Sequence, residues 1–199
     1  MSTTIHFVRH SAVENPNNVA YGRIPGFHLS KNGQKKAKEI GKYFKDKSIA
    51  VIYTSPLERT IETANILSDF FPKPPKVIHK YELIEFNQSK WQSFPLEELF
   101  QNKYFESFFN NVKSEEVPEN LNSLARRMEK FTFELCVKHR SEEIICVSHE
   151  YPIIVLKLKL EGKPLTDSRN LQISTGSITT LVLDDNCSLI ETSYTELQK

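Results

Sequence analysis

An apolar run near the start of the chain, Ile5-His6-Phe7-Val8, ends in an arginine and a histidine side by side, Arg9 and His10. An imidazole that attacks phosphorus needs a cation beside it to hold and neutralise the phosphate. Three more pieces stand in similar settings: Ser55-Pro56-Leu57-Glu58-Arg59 after a second strand-like run, Leu83-Ile84-Glu85 in mid-chain, and Ser148-His149 after a third run. A phosphate monoester dianion calls for about two positive charges and several directed donors. Arg9 and Arg59 offer the charges in forked geometry, His149 offers a further donor, and Glu85 is a carboxyl able to protonate a leaving oxygen. Together they describe a phosphate site that needs no metal. Each alone would be ordinary: a hydrogen-bonded histidine, a solvated carboxylate, a helix-surface arginine.

The elements that must bring these residues together alternate between strand-like and helix-like segments. That pattern predicts a three-layer α/β/α sandwich with a mostly parallel central sheet. Strands are expected at Thr4 to Val8, Ala50 to Thr54 and Ile144 to Ser148. Arg9, His10, Arg59 and His149 then fall just past strand ends or in the first turn of the next helix, where open parallel sheets place ligands and helix N-termini offer donors to anions. A first helix opens at Ser30 as N-cap, with Ala37, Ile40 and Phe44 as its buried stripe. Its seven lysines between Lys31 and Lys47 read as a solvated outer face. A second helix starts with Ser55 as N-cap, Pro56 at the first position and Glu58 completing a capping box. The prolines at 72, 74 and 75 stop it.

From Tyr81 to Phe109 the composition shifts, with nine of the 21 aromatic residues in this stretch. It reads equally as an excursion over the site or as a satellite hydrophobic cluster. A long helix runs to about His139 with Leu124, Met128, Phe131 and Leu135 on one face. A further apolar helix covers Ile153 to Leu160, and a closing hairpin turns at Asp184-Asp185-Asn186. No catalytic role falls to His6, His28, His79 or His139, and Cys146 reads as a core residue.

The 199 residues, 39% of them hydrophobic, suit one domain over 1–199. Within it, a cap-like insertion is expected at about 86–125. A net charge of +1 gives no polyelectrolyte signal for nucleic acid or a membrane surface. Three cysteines, Cys136, Cys146 and Cys187, without a C-x-x-C pair argue against a disulfide framework and a cysteine zinc site. This suggests a reducing compartment. With no leader or anchor pattern visible, a cytoplasmic location is expected. The sequon matches at Asn87 and Asn186 are read as chance.

The motifs together resemble the histidine phosphatase superfamily, the phosphoglycerate mutase-like fold. Arg9-His10-Ser11 is similar to its R-H-G signature. Ser55 to Ala64 matches its S-x-L-x-R-x-x-x-T-A motif, Leu83, Glu85 and Trp91 its L-x-E followed by tryptophan, and Ser148-His149-Glu150 its S-H-G. The segment from Asn15 to Ala37 resembles a subset of bacterial members. The resemblance implies that the insertion at about 86–125 is variable. The resemblance implies a histidine acid phosphatase-type phosphomonoesterase acting on a small phosphorylated metabolite, without cofactor or metal, as a monomer or homodimer. By it, His10 is the nucleophile, Arg9, Arg59 and His149 clamp the phosphoryl oxygens, Glu85 is acid and then base, and Arg23 contacts substrate. The alternatives it leaves are phosphoglycerate mutase-type transfer and a weak pseudoenzyme with a binding role. Ser11 and Glu150 replace glycines, and Ser89, Gln92 and Ser93 replace residues of the usual glycine-tryptophan-glutamate-glycine stretch. A side chain at 11 or 150 is expected to narrow the pocket or shift the loop, and a carboxylate at 150 to oppose phosphate unless it meets a cation.

Overall fold

The structure, a computed structural model, describes residues 2–88, 91–99, 101, 109 and 119–197. Six strands, β1 (Thr3–Arg9), β2 (Ile49–Thr54), β3 (Lys76–His79), β4 (Glu143–Ser148), β5 (Ile178–Leu183) and β6 (Leu189–Thr195), form one sheet in the order β3-β2-β4-β1-β5-β6. The β3–β2, β2–β4 and β4–β1 pairs are parallel, and β5 and β6 add an antiparallel edge. The helices with described bounds include α1 (Lys31–Phe44), α2 (Glu58–Ser68), the one-turn α3 (Leu96–Leu99), α4 (Leu121–Lys138) and α5 (Glu150–Leu160).

Period-two alternation with apolar residues on both faces makes the central strands two-sided. Ile5, Phe7, Val51, Tyr53, Ile144 and Cys146 pack on one face against Met128, Phe131 and Leu135 of α4 and Ile153 and Leu156 of α5. Val8, Ile52, Ile145 and Val147 pack on the other against Ile40 and Phe44 of α1 and Ala64 and Leu67 of α2. This is the expected three-layer sandwich. Its parallel strands, helices and closing hairpin lie within a few residues of their expected positions.

Two features fix the loops that carry chemistry. β4 is inserted between β1 and β2, so the C-terminal ends of three strands distant in sequence become neighbours. Backbone bonds lock them: the His10 amide donates to the Ser148 carbonyl (3.0 Å), and the Ser55 amide to the Val147 carbonyl (3.0 Å). The start of α1 is pressed against the chain just after His10. Ser30 caps α1 by accepting from the Gly33 amide at 3.0 Å, and its own amide donates to the Ala12 carbonyl at 3.0 Å. A Cβ at Gly33 would lie 1.9 Å from that carbonyl oxygen, so only glycine permits this approach.

The second helix departs from expectation. α2 begins at Glu58, with Leu57 as N-cap and no side-chain cap. Glu58 instead accepts from the Gly26 amide at 3.1 Å, and Ser55 turns towards His149. The polar pair that reads as a capping box is drawn off by tertiary partners.

Aromatic residues of the mid-chain stretch form a cluster in which Phe86, Trp91, Leu99 and Phe109 pack with Leu121, Leu124 and Val155. Phe100, Tyr104, Phe105, Phe108, Ser89, Lys90, Lys103 and the lead-in Glu115 to Pro118 lie outside the described residues. Among the described residues no helix is long and apolar enough to cross a membrane.

Cys136 near the end of α4 and Cys187 in the β5–β6 turn are joined by a disulfide across 51 residues. This corrects the expectation of no disulfide and removes the cysteine-based support for a reducing compartment. Spacing carried no signal because the fold itself seats the hairpin turn against α4. Cys146 is buried and free, and burial pushes its thiol pKa up. Closing a loop of this length restricts the unfolded chain. The Cys187→Ser protein is therefore expected to lose about 2–4 kcal/mol of stability in urea unfolding, and unreduced wild type to show one titratable thiol after denaturation. Three thiols without reductant would contradict the bond.

Candidate active site

His10 directly follows β1 and is buried, with 2% of its surface exposed. Its Nδ1 lies 2.8 Å from the Ser11 carbonyl oxygen, which can only accept, so the ring proton sits on Nδ1. Burial first, then the charges of Arg59 and Arg9, hold its pKa well below the ordinary histidine value. The ring is therefore neutral, with an unshared pair at Nε2. That is the protonation state a nucleophilic imidazole requires. Ser11 itself adopts no left-handed backbone, and its amide donates to Thr63 Oγ1 at 3.1 Å. The serine is accommodated without the glycine's freedom.

Arg59, in the first turn of α2, is wholly buried. Its Nη2 donates to the Gly22 carbonyl (2.8 Å) and to His149 Nδ1 (3.1 Å), and its guanidinium lies 4.8 Å from the Tyr21 ring centroid. Its Nε and Nη1, and Nε of Arg9, are buried and have no hydrogen-bond partner among the described residues. Buried donors of charged groups left in this way are costly unless an anion meets them.

His149 is also buried, and its ring centroid is 5.3 Å from that of His10. Because a guanidinium can only donate, Nδ1 of His149 accepts. Burial keeps this ring neutral as well, so its proton lies on Nε2, which donates to Ser55 Oγ at 2.8 Å. Both ring nitrogens are thus engaged, and in this arrangement His149 orients Arg59.

Glu85 is 7% exposed and accepts the Phe86 amide at 2.9 Å. Burial raises its pKa to about 7, against the opposing pull of that hydrogen bond and of Arg59. The backbone around it is held by Arg23 and by two residues that sequence reasoning did not single out, Glu119 and Arg127. Glu119 accepts from Arg23 Nη2 (3.0 Å), the Asn87 amide (2.9 Å) and Arg127 Nε (2.9 Å). Arg127 Nη1 in turn donates to the carbonyls of Glu82 (2.6 Å) and Ile84 (3.0 Å), and Arg23 Nε to that of Glu85 (2.8 Å). Arg23, expected at the substrate, is spent in this cage. Glu119 and Arg127 look like ordinary surface charges in sequence, and nothing in their spacing would have found them.

Arg9 meets the carboxylate of Glu150 at 3.1 Å and donates to the Ile173 carbonyl. Glu150 also needs no left-handed backbone. A cavity of about 170 Å³ is lined by Arg9, His10, Glu85, Gln88, Glu150 and Tyr151, among others. The structure thus brings Arg9, His10, Arg59, Glu85 and His149 together. A neutral imidazole, unmet guanidinium donors and a carboxyl close to half-protonated at neutral pH can bind an anion, attack it and move a proton.

The sequence profile of the histidine phosphatase superfamily (branch 1) matches residues 5–195, and the chain belongs to that superfamily. It is 28% identical to phosphoserine phosphatase 1 of Hydrogenobacter thermophilus over 192 residues, covering 92% of this chain and 88% of that one. It is 29% identical to an uncharacterized protein of Mycobacterium tuberculosis over 204 residues, covering 98% and 96%. In fold it is similar to a phosphoserine phosphatase from Entamoeba histolytica solved with 3-phosphoglyceric acid, with a TM-score of 0.84, 23% identity and 98% coverage of both chains. The family and the Hydrogenobacter relative support phosphatase activity.

If the unmet donors of Arg59 are an anion site, inorganic phosphate should raise the melting temperature of the wild type. Arg59→Gln should weaken phosphate binding at least about 100-fold in calorimetry, the loss of two charge-assisted hydrogen bonds. Equal affinities would remove Arg59 from the site.

Proposed function

We propose that this protein is a phosphomonoesterase that hydrolyses a small phosphorylated metabolite through a phosphohistidine on His10, without a metal ion. The observation that carries the reading is the neutral His10, its Nδ1 proton fixed on the Ser11 carbonyl, beside buried guanidinium donors that lack partners among the described residues. In the first step Nε2 of His10 attacks phosphorus while the bond to the leaving oxygen breaks, and that oxygen takes the proton of Glu85. The Glu85 carboxylate so formed then removes a proton from water, whose oxygen attacks the phosphohistidine and releases inorganic phosphate and neutral His10. Arg9 and Arg59 stabilise charge on the equatorial oxygens in both steps. His149 steers Arg59, and donates to phosphate itself only when its proton shifts from Nε2 to Nδ1. The Ser55 hydroxyl allows that shift by reversing its hydrogen bond.

The cavity falls below the range typical of drug-sized ligands, which supports a small leaving group. Phosphoserine, the substrate named for the Hydrogenobacter relative, is a first candidate on this reading.

Phosphate release from p-nitrophenyl phosphate is expected to survive EDTA and to disappear, with the acid-labile phosphoenzyme, in His10→Ala. Retained turnover would remove His10 as nucleophile. The pH dependence has a definite sign. Glu85 must be protonated to serve a poor leaving group, and its raised pKa keeps the proton below about 7; His10 stays neutral well below its ordinary value. Turnover of an alkyl phosphate under conditions where the first step is limiting should therefore fall as pH rises through about 7. Glu85→Gln should abolish that limb and slow alkyl phosphates about 100-fold or more, while affecting p-nitrophenyl phosphate less. An alkaline limb that persists in Glu85→Gln would assign the acid elsewhere.

A further inference from the structure

We propose that the substrate carries a positively charged amino group beside its phosphate, and that Glu150 together with Gln88 forms the subsite that holds it. This rests on the phosphatase reading and adds to it the charge of the leaving group.

Glu150 is the first residue of α5, directly after His149, and its carboxylate lies on the wall of the cavity that contains His10 and Glu85. It is held by Arg9 Nη1 at 3.1 Å and by the Ile173 amide at 3.4 Å, with 23% of its side chain exposed. The charges do not balance for a purely anionic substrate. A phosphate dianion is matched by Arg9 and Arg59, and Glu150 then adds one uncompensated negative charge. Among the described lining residues Arg9 is the sole cation and Glu85 and Glu150 are the carboxyl groups, while Arg59 acts on Tyr21 and Glu85 from outside the lining.

Arg9 is also divided. Its Nη1 serves Glu150 and the Ile173 carbonyl, whereas its Nε has no partner among the described residues. A phosphoryl oxygen that draws Arg9 towards itself loosens the Glu150 ion pair and leaves a partly desolvated carboxylate. Leaving such a group unmet is costly, and a cation on the same substrate removes that cost.

A second observation points the same way. Gln88 is about nine-tenths buried on the same cavity wall, and its Oε1 has no hydrogen-bond partner among the described residues. Carboxylate and amide oxygen are both acceptors, and a primary ammonium offers three donors and no acceptor. The cavity wall thus carries a cationic donor at Arg9 and acceptors at Glu150 and Gln88.

The test is a series of phosphate monoesters of similar size that differ at one end: phosphoethanolamine (ammonium), propyl phosphate (neutral) and phosphoglycolate (carboxylate). Wild type is expected to turn over phosphoethanolamine with a kcat/KM at least about 10-fold above propyl phosphate, and phosphoglycolate least well. The isosteric Glu150→Gln should lower kcat/KM for phosphoethanolamine about 10- to 100-fold, as for loss of a charged hydrogen bond, and raise it for phosphoglycolate. If Glu150→Gln instead raises all three alike, Glu150 merely competes with phosphate for Arg9 and the inference fails. It fails equally if wild type shows no ammonium preference while hydrolysing p-nitrophenyl phosphate in a His10-dependent way. Hydrolysis that survives His10→Ala would overturn the phosphohistidine reading itself, an outcome distinct from both.

Discussion

The site depends on the complete burial of one cation. Taking a guanidinium out of water costs several kcal/mol even after relaxation, and Arg59 recovers only part of that from the Gly22 carbonyl, His149 and the face of Tyr21. Those partners come from the loop after β1 and the start of α5, and Arg59 itself from α2. Holding Arg59 therefore obliges three separate segments to meet. The insertion of β4 between β1 and β2 makes the meeting possible, since it sets the ends of the three strands side by side. The same packing buries both histidines and keeps them neutral, so the cation that organises the site also sets the protonation state of the imidazole beside it.

Glu85 faces the opposite requirement. A carboxyl that is to give up a proton at neutral pH must be desolvated but not neutralised by a close cation, because direct pairing would lower its pKa. The cage of Arg23, Glu119 and Arg127 meets this condition by gripping the backbone around Glu85 and leaving its carboxyl alone. Two arginines lie close to an acid that must stay protonated, and their charge is taken up by Glu119 instead. Arg23 therefore acts on the backbone around Glu85, with its guanidinium bonded to the Glu85 carbonyl and to Glu119.

The fold was legible because its signals were periodic. Two-sided alternation in β1, β2 and β4 and the apolar stripes of α1 and α4 require burial in one arrangement, and the chemistry-bearing residues sit at strand ends where the topology rule places ligands. The convergence of Arg9, His10, Arg59, Glu85 and His149 followed from that rule and from motif order. What sequence could not convey were choices between local and tertiary partners. Ser55 and Glu58 form a capping box on paper, yet His149 and the Gly26 amide claim them. Cys136 and Cys187 meet only because the β5–β6 turn folds onto α4, and Glu119 acquires its meaning only when three segments surround it.

The two side chains that stand in place of glycines show how differently one departure can be absorbed. Ser11 keeps ordinary backbone, buries its side chain and leaves the His10 geometry intact. Glu150 also keeps ordinary backbone, but it adds a charge to the cavity wall and ties up one face of Arg9. Backbone freedom is therefore not what either position lost. At 150 the change is electrostatic, and it turns an arginine that would serve phosphate alone into one shared between phosphate and a carboxylate. A site with that sharing binds a simple phosphate dianion less well than one without it. It discriminates better among phosphates by what else they carry, because only a substrate that satisfies the displaced carboxylate recovers the full use of Arg9.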